Sequence, residues 1–113
     1  RPVTNQIDDL LEQIRKRVNQ ARNIQLERYK DYNILCNAEL TPRLLEKYCK
    51  LDKECKEILE KSFNKLGLSA RAYAKILKVA RTIADIDGKK DIEISHLAEA
   101  IQYRSLDRKY WGN

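Results

Sequence analysis

The sequence predicts an all-α protein, a bundle of about five helices with one short extended link near residues 91–94. Apolar residues recur mainly at the 3.6-residue period of a helix. Only three glycines and two prolines are present to interrupt regular structure. Ser, Thr or Asp precedes several of the apolar segments, as is typical of helix N-termini. The 113 residues are the right length for a single helical domain, residues 1–113.

A long first helix is predicted within residues 1–30, because apolar residues recur over about 5–29. Thr4 or Asn5 is the expected N-cap. A polar connection over 31–40 separates this helix from the next. The apolar face of the first helix comprises Ile7, Leu10, Leu11, Ile14, Val18 and Ala21.

Two helices are predicted within residues 42–66. Thr41 and Pro42 supply a capping hydroxyl and a proline at the first position of a short helix over 42–48. Asp52 caps the next helix, and Gly67 ends it in a left-handed conformation. The apolar face of this third helix comprises Cys55, Ile58, Leu59, Ser62, Phe63 and Leu66.

The last two helices are predicted at residues 69–87 and 95–107. Ser69 caps the fourth helix and Gly88 closes it, while Ser95 caps the fifth. His96 follows that cap directly, a position typical of an exposed or capping side chain. The two apolar faces comprise Tyr73, Ile76, Leu77, Ala80, Ile83 and Ala84 in the fourth helix, and Leu97, Ala98, Ala100 and Ile101 in the fifth.

Composition excludes several functional classes. No run approaches the ~18 apolar residues of a membrane span, and no signal peptide is visible. The spacings of Cys36, Cys49 and Cys55 match no zinc pattern, so we expect structural or incidental thiols in a reducing cytoplasm, and no metal. The glycine patterns that cradle phosphates are missing. Because the chain contains no methionine, we expect it to be part of a longer protein.

The net charge of +6 is spread along the chain, and its densest group is Arg15 to Arg17. Asp8, Asp9 and Glu12 lie one or two turns before that group. Nucleic-acid binding usually needs a concentrated basic stripe or a recognisable motif, so this charge is mostly interpreted as solvated helix surface.

The fourth helix has an unusual charge arrangement. Arg71 lies in its first turn, followed by Lys75 and Lys78, whereas Asp85 and Asp87 lie at its far end. A helix N-terminus carries partial positive charge, so cations there and acids at the C-terminus are each disfavoured by ~0.3–1 kcal/mol. An anion such as phosphate at the helix start would make Arg71 favourable, and a solvated arginine is the plain alternative.

Two runs in the second half of the chain, 68–73 (LSARAY) and 76–85 (ILKVARTIAD), resemble the C-terminal domain of Mg-chelatase-like AAA+ ATPases of the ComM/YifB group. Residues 96–107 (HLAEAIQYRSLD) are similar to the end of that family, and parts of 14–25 resemble its first helix here. The resemblance covers about residues 5–108.

This resemblance implies an AAA+ lid-like bundle whose P-loop core lies outside the chain. Arg71 matches the sensor 2 arginine, which reaches the terminal phosphate of ATP in this family. The implied cofactors are ATP and Mg in the full-length protein, with none bound by this segment alone. No catalytic residue is predicted, and the segment is not expected to be catalytic by itself. Whether Arg71 serves its own chain's nucleotide or a neighbour's stays open.

The implied partners are the ATPase core of the same chain and neighbouring subunits of a ring, expected to be a hexamer. The implied substrate is DNA, with a link to competence, or a porphyrin that receives a metal, and no membrane is involved. Arg22, Arg81 and Arg104 also match family positions, and surface or structural pairing is expected for each, as between Arg104 and Asp107. The alternative function is a stand-alone basic helical module that binds nucleic acid or protein.

Overall fold

A computed structural model describes the backbone of residues 3–111 and the side chains of residues 6–103. The all-α prediction is confirmed, and the described backbone contains no strand. A single turn of 3-10 helix, Asn37–Glu39, interrupts the first connection. The five helices are α1 (Val3–Arg28), α2 (Pro42–Tyr48), α3 (Lys53–Leu66), α4 (Ala70–Ile86) and α5 (Ile94–Trp111).

The predicted caps of α2, α3 and α4 are confirmed. The side chains of Thr41, Asp52 and Ser69 each accept a hydrogen bond from the backbone N–H three residues later, at 3.4, 2.8 and 3.2 Å. Each bond satisfies an N–H group that has no partner within its helix. Gly67 has a φ of 63°, the left-handed conformation that ends α3 at little steric cost.

The predicted caps of the first and last helices are wrong. α1 already begins at Val3, so Thr4 and Asn5 lie inside the helix. At the start of α5 the carbonyl of Glu93 accepts the first intrahelical bond, from Leu97 N–H at 3.1 Å. His96 Nδ1 in turn accepts from the Glu93 backbone N–H at 2.9 Å, so the ring makes the reciprocal contact of a capping box at Glu93 and not at the predicted Ser95. α5 therefore starts at Ile94 and shortens the extended link by one residue.

The core is built around α4, which packs against α1, α2, α5 and the 3-10 helix, while α3 packs against α5. The apolar stripe predicted for α4 faces this core, with Ile76, Leu77, Ala80 and Ala84 buried. Two charged residues of the same helix, Arg81 and Asp85, are also buried. α4 is consequently held on several sides and forms the rigid centre of the fold.

The predicted apolar face of α1 is buried only at its C-terminal member, Ala21, and Tyr29, the residue after the helix, is also buried. Toward the N-terminus the side chains remain 41–56% exposed although they are large and apolar. We call this group the α1 stripe: Ile7, Leu10, Leu11, Ile14 and Val18. Apolar side chains aligned on one helix face and open to water are typical of an interaction surface. Among the described residues no helix combines the length and the apolar character needed to cross a bilayer.

Candidate functional site

Arg71 occupies the second position of α4, directly after a tightly defined junction. Gly67 turns the chain out of α3, Leu68 is buried beneath the turn, and Ser69 caps α4. The Arg71 side chain is exposed, and within residues 6–103 it forms neither a hydrogen bond nor an ion pair. The junction therefore presents a guanidinium on a rigid helix with its donors unused.

The charge arrangement of α4 differs between its two ends. The first turn contains no acidic residue that would neutralise Arg71. At the C-terminal end, Asp85 accepts hydrogen bonds from two arginines, and Asp87 Oδ2 lies 2.8 Å from His96 Nε2. The acids that the macrodipole disfavours are thus stabilised by partners inside the fold, whereas the cation at the N-terminus is not. A negatively charged ligand at the start of α4 would remove this imbalance.

Asp85 is the centre of a buried polar network. Arg28 of α1 binds it through two parallel bonds, Nη2 to Oδ1 at 2.6 Å and Nη1 to Oδ2 at 3.0 Å. Arg81, one turn earlier on α4, donates through Nε to Oδ1 at 3.2 Å. Asn37 of the 3-10 helix donates to Oδ2 at 3.0 Å. One carboxylate therefore joins three segments of the chain.

Both arginines also form hydrogen bonds beyond Asp85. Burial disfavours the charged form of Arg28, but hydrogen bonds to Asp85 and Tyr29 outweigh it and hold the pKa of the guanidinium above its ordinary value. Arg81 donates from Nη1 and Nη2 to the carbonyls of Lys90 and Lys89, both at 2.8 Å. These two bonds attach the loop between α4 and α5 to the network. Arg81 is 4% exposed, so its predicted structural pairing is confirmed.

His96 and Asp87 form a second polar contact, beside the start of α5. Since Nδ1 of the buried ring accepts the Glu93 N–H, the proton of the neutral ring lies on Nε2 and is donated to Asp87. This hydrogen bond, together with the charges of Lys89 and Arg17, lowers the pKa of Asp87 below its ordinary value of 3.8. The expectation that His96 is exposed is wrong, whereas its capping role is confirmed.

The other predicted positions divide into three groups. Arg22 and Lys75 are exposed and form no hydrogen bond or ion pair within residues 6–103, while Lys78 donates to the Ala38 carbonyl at 3.2 Å. The side chains of Arg104 and Asp107 lie outside the described residues, so their predicted pairing stays a prediction. The sequence analysis missed the network of Arg28 and Asp85, for which the Arg81–Asp85 spacing of four residues was the one local signal.

Cys49 and Cys55 are buried free thiols, and burial raises the pKa of each to about 11. Both are therefore protonated near neutral pH and poor nucleophiles. Within residues 6–103 no three His, Cys, Asp or Glu side chains come together in a way that could hold a metal ion.

The fold is an all-helical bundle, and the arginine at the start of its central helix has no polar partner within residues 6–103. The chain belongs to the family described as magnesium chelatase, subunit ChlI C-terminal, whose profile matches residues 11–104. That range includes the Gly67 to Arg71 junction and the Asp85 network.

Individual relatives agree with this assignment. The chain is 48% identical over 96 residues to the competence protein ComM of Haemophilus influenzae, a match that covers 85% of this chain and 18% of that protein. It is 44% and 43% identical over 95 residues to the YifB proteins of Salmonella typhimurium and Escherichia coli, covering 84% of this chain and 18% of each. The chain thus spans less than a fifth of the length of these relatives. No solved structure matches it.

Proposed function

We propose that this chain is the helical lid of an AAA+ ATPase, in which Arg71 contacts the terminal phosphate of ATP bound by a P-loop core. The observation that carries the proposal is the exposed guanidinium of Arg71, which has no partner within residues 6–103 at the start of a helix without a first-turn acid. Membership of the magnesium chelatase C-terminal family supports the assignment, because a chelatase-type ATPase requires ATP and Mg. The proposal assigns Mg²⁺ and the phosphate-binding loop to the core.

The fit of Arg71 to a phosphate rests on three features of the junction. Its side chain has five donors that no described residue uses, and its charge is permanent. The backbone N–H groups in the first turn of α4 also point out of the helix N-terminus, the end at which Arg71 lies. The buried face of α4 fixes the helix backbone, so the position from which the Arg71 side chain extends is set before a ligand arrives.

An arginine at the start of a rigid helix has two effects on an ATPase. Phosphoryl transfer is catalysed mainly by positioning and by stabilising negative charge on the transferred group, and Arg71 supplies such a charge. The lid and the core are separate bodies, so a contact from Arg71 to the terminal phosphate favours one orientation between them. Loss of that phosphate removes the contact and allows the lid to move. The nucleotide is either that of the same chain or that of a neighbouring subunit.

The α1 stripe supports the proposed partners. Its five apolar side chains are 41–56% exposed, and a helix face of this kind is suited to packing against another helical or apolar surface. We assign this face to the ATPase core or to a neighbouring subunit of the ring. The expected assembly is a hexamer located in the cytoplasm.

DNA processing is the proposed activity of the full-length protein, because one close relative is named a competence protein. Metal insertion into a porphyrin is the other activity of the full-length protein that the magnesium chelatase family suggests. The alternative of a stand-alone basic module is less well supported, since Arg15 lies 3.8 Å from Glu12 and the first basic group is thus partly neutralised.

The test is Arg71→Ala in the full-length protein, with Lys75→Ala as the matched control. Lys75 is also an exposed cation that forms no hydrogen bond or ion pair within residues 6–103, one turn further along α4. We expect Arg71→Ala to fold and assemble normally but to turn over ATP about 100-fold more slowly, the size of effect seen when one transition-state donor is removed. The Lys75→Ala variant should retain wild-type turnover. Unchanged turnover in Arg71→Ala would exclude the arginine from the mechanism.

A further inference from the structure

A cleft of about 480 Å³ lies away from Arg71, between the end of α1, α2 and the loop that joins α4 to α5. Of the described residues that line it, six are basic and a single one, Asp91, is acidic. Asp85 adds one more negative charge behind its wall, which leaves a formal charge of +4. The six basic residues are Arg28, Lys47, Lys50, Arg81, Lys89 and Lys90.

The fold maintains this concentration of charge with a shared counterion. Arg28 and Arg81 both bind the one carboxylate of Asp85, so the pair of guanidiniums is only half neutralised. Arg81 also holds the carbonyls of Lys89 and Lys90, and this fixes the backbone from which both lysines project. The basic wall is therefore built into the core network.

The four lysines of the cleft are not neutralised by direct ion pairs. None of Lys47, Lys50, Lys89 and Lys90 forms a salt bridge within residues 6–103. The Lys47 ammonium instead lies 5.3 Å from the ring centre of Tyr48, a half-buried aromatic side chain in the cleft wall. Like charges brought together in this way repel one another, and an anionic ligand would relieve the repulsion.

We propose that this cleft binds the phosphodiester backbone of a DNA strand. The choice of DNA as the ligand rests on the proposed function. The location of the binding site rests on the charge and shape of the cleft. A nucleic-acid strand carries one charge per nucleotide whatever its sequence, which suits lysines on opposite walls of a cleft. The Tyr48 ring in the cleft wall already packs against Tyr29 and Tyr32 and lies beside the Lys47 ammonium, so the proposed contacts are to the phosphates and not to the bases. An acidic polypeptide would satisfy the same charge, so polyglutamate serves as the competing ligand in the test.

The test uses the full-length protein with the double substitution Lys50→Gln and Lys90→Gln. Both side chains are exposed and lie outside the hydrogen-bonded network, so the fold should be unaffected. The matched control is Lys61→Gln with Lys65→Gln, two exposed lysines of α3 that do not line the cleft. Binding is measured by fluorescence anisotropy with a labelled 30-nucleotide oligo-dT, over a series of salt concentrations.

We expect the cleft variant to bind oligo-dT about 20-fold more weakly at 0.1 M salt, and the control to bind as wild type. The slope of log K against log salt should fall in magnitude by about 1.4, because each lost phosphate contact on a single strand removes about 0.7. ATP turnover without DNA should be equal in wild type and cleft variant, so this result stays separate from that of Arg71→Ala. An unchanged affinity and slope would overturn the proposal. It would also be overturned if polyglutamate displaced oligo-dT as well as unlabelled oligo-dT of equal charge does.

Discussion

Arg28, the last residue of α1, forms a two-bond ion pair with Asp85, which lies one residue before the end of α4. The two residues are 57 positions apart in the chain, and their contact joins the long first helix to the centre of the fold. Asp85 has no exposed side-chain surface, and it also binds Arg81 and Asn37. The Asp85 carboxylate therefore links α1 to α4 in addition to the packing between the two helices.

Replacing Asp85 by Ala should strongly destabilise the 113-residue chain. The substitution leaves the buried Arg81 and the partly buried Arg28 without their counterion, which typically costs about 3–5 kcal/mol. The free energy of unfolding is measured by urea titration with circular dichroism. Arg22→Ala, an exposed arginine of the same helix α1, is the control and should change stability by less than about 0.5 kcal/mol. An equally small effect of Asp85→Ala would mean that the network adds little to stability.

Asp87 should make stability depend on pH in the acid range. Its pKa in the folded chain is lowered below 3.8 by the hydrogen bond with His96, so the folded state binds the proton less readily than the unfolded state. The resulting stabilisation is complete above that ordinary value and is lost as the pH falls through the lowered pKa. The difference in unfolding free energy between wild type and Asp87→Asn should therefore shrink as the pH is reduced from about 5 to 3. A difference that stayed constant over this range would argue against the contact, and Asp91→Asn controls for removal of an acid from the same loop.

Polar substitutions in the α1 stripe should separate folding from assembly. Leu11 and Ile14 are 54% and 50% exposed, so replacing both by Gln should change the stability of the 113-residue chain by less than about 1 kcal/mol in total. In the full-length protein the same pair should reduce ring assembly, as measured by analytical ultracentrifugation. Leu59→Ala is the contrasting variant, because this fully buried side chain should cost about 2–5 kcal/mol on truncation. Normal assembly of the Leu11 and Ile14 double variant would rule out the stripe as a subunit contact.

Local chemistry explains which parts of the fold could be predicted from sequence. A cap depends on a side chain and a backbone N–H three residues apart, so Thr41, Asp52 and Ser69 were recognisable without the structure. Gly67 was recognisable for the same reason, since its left-handed conformation follows from the missing side chain. The start of α5 was misplaced because serine is the commoner cap, whereas this helix uses a histidine ring to accept the Glu93 N–H.

Contacts between distant segments explain what could not be predicted. The helical spacing of apolar residues in α1 indicated an apolar face, but this spacing does not show whether another segment packs against that face. The partners of Asp85 come from α1 and from the connection after it, and no local pattern links 28, 37 and 85. The sequence did not predict the basic cleft for the same reason, because its lysines come from segments that are distant in the chain and meet only in the fold. Arg71 was identified by its place at a helix start together with the family resemblance.

The 26 residues of α1 make a rod of about 39 Å, clamped at one end by Arg28 and uncovered along its first turns. Because α1 is joined to α4 both by this ion pair and by packing, the two helices form one unit. The clamp is on α4, and Arg71 stands at the opposite end of that same helix. A body that binds the first turns of α1 is thereby connected, through one rigid unit, to the helix that carries Arg71.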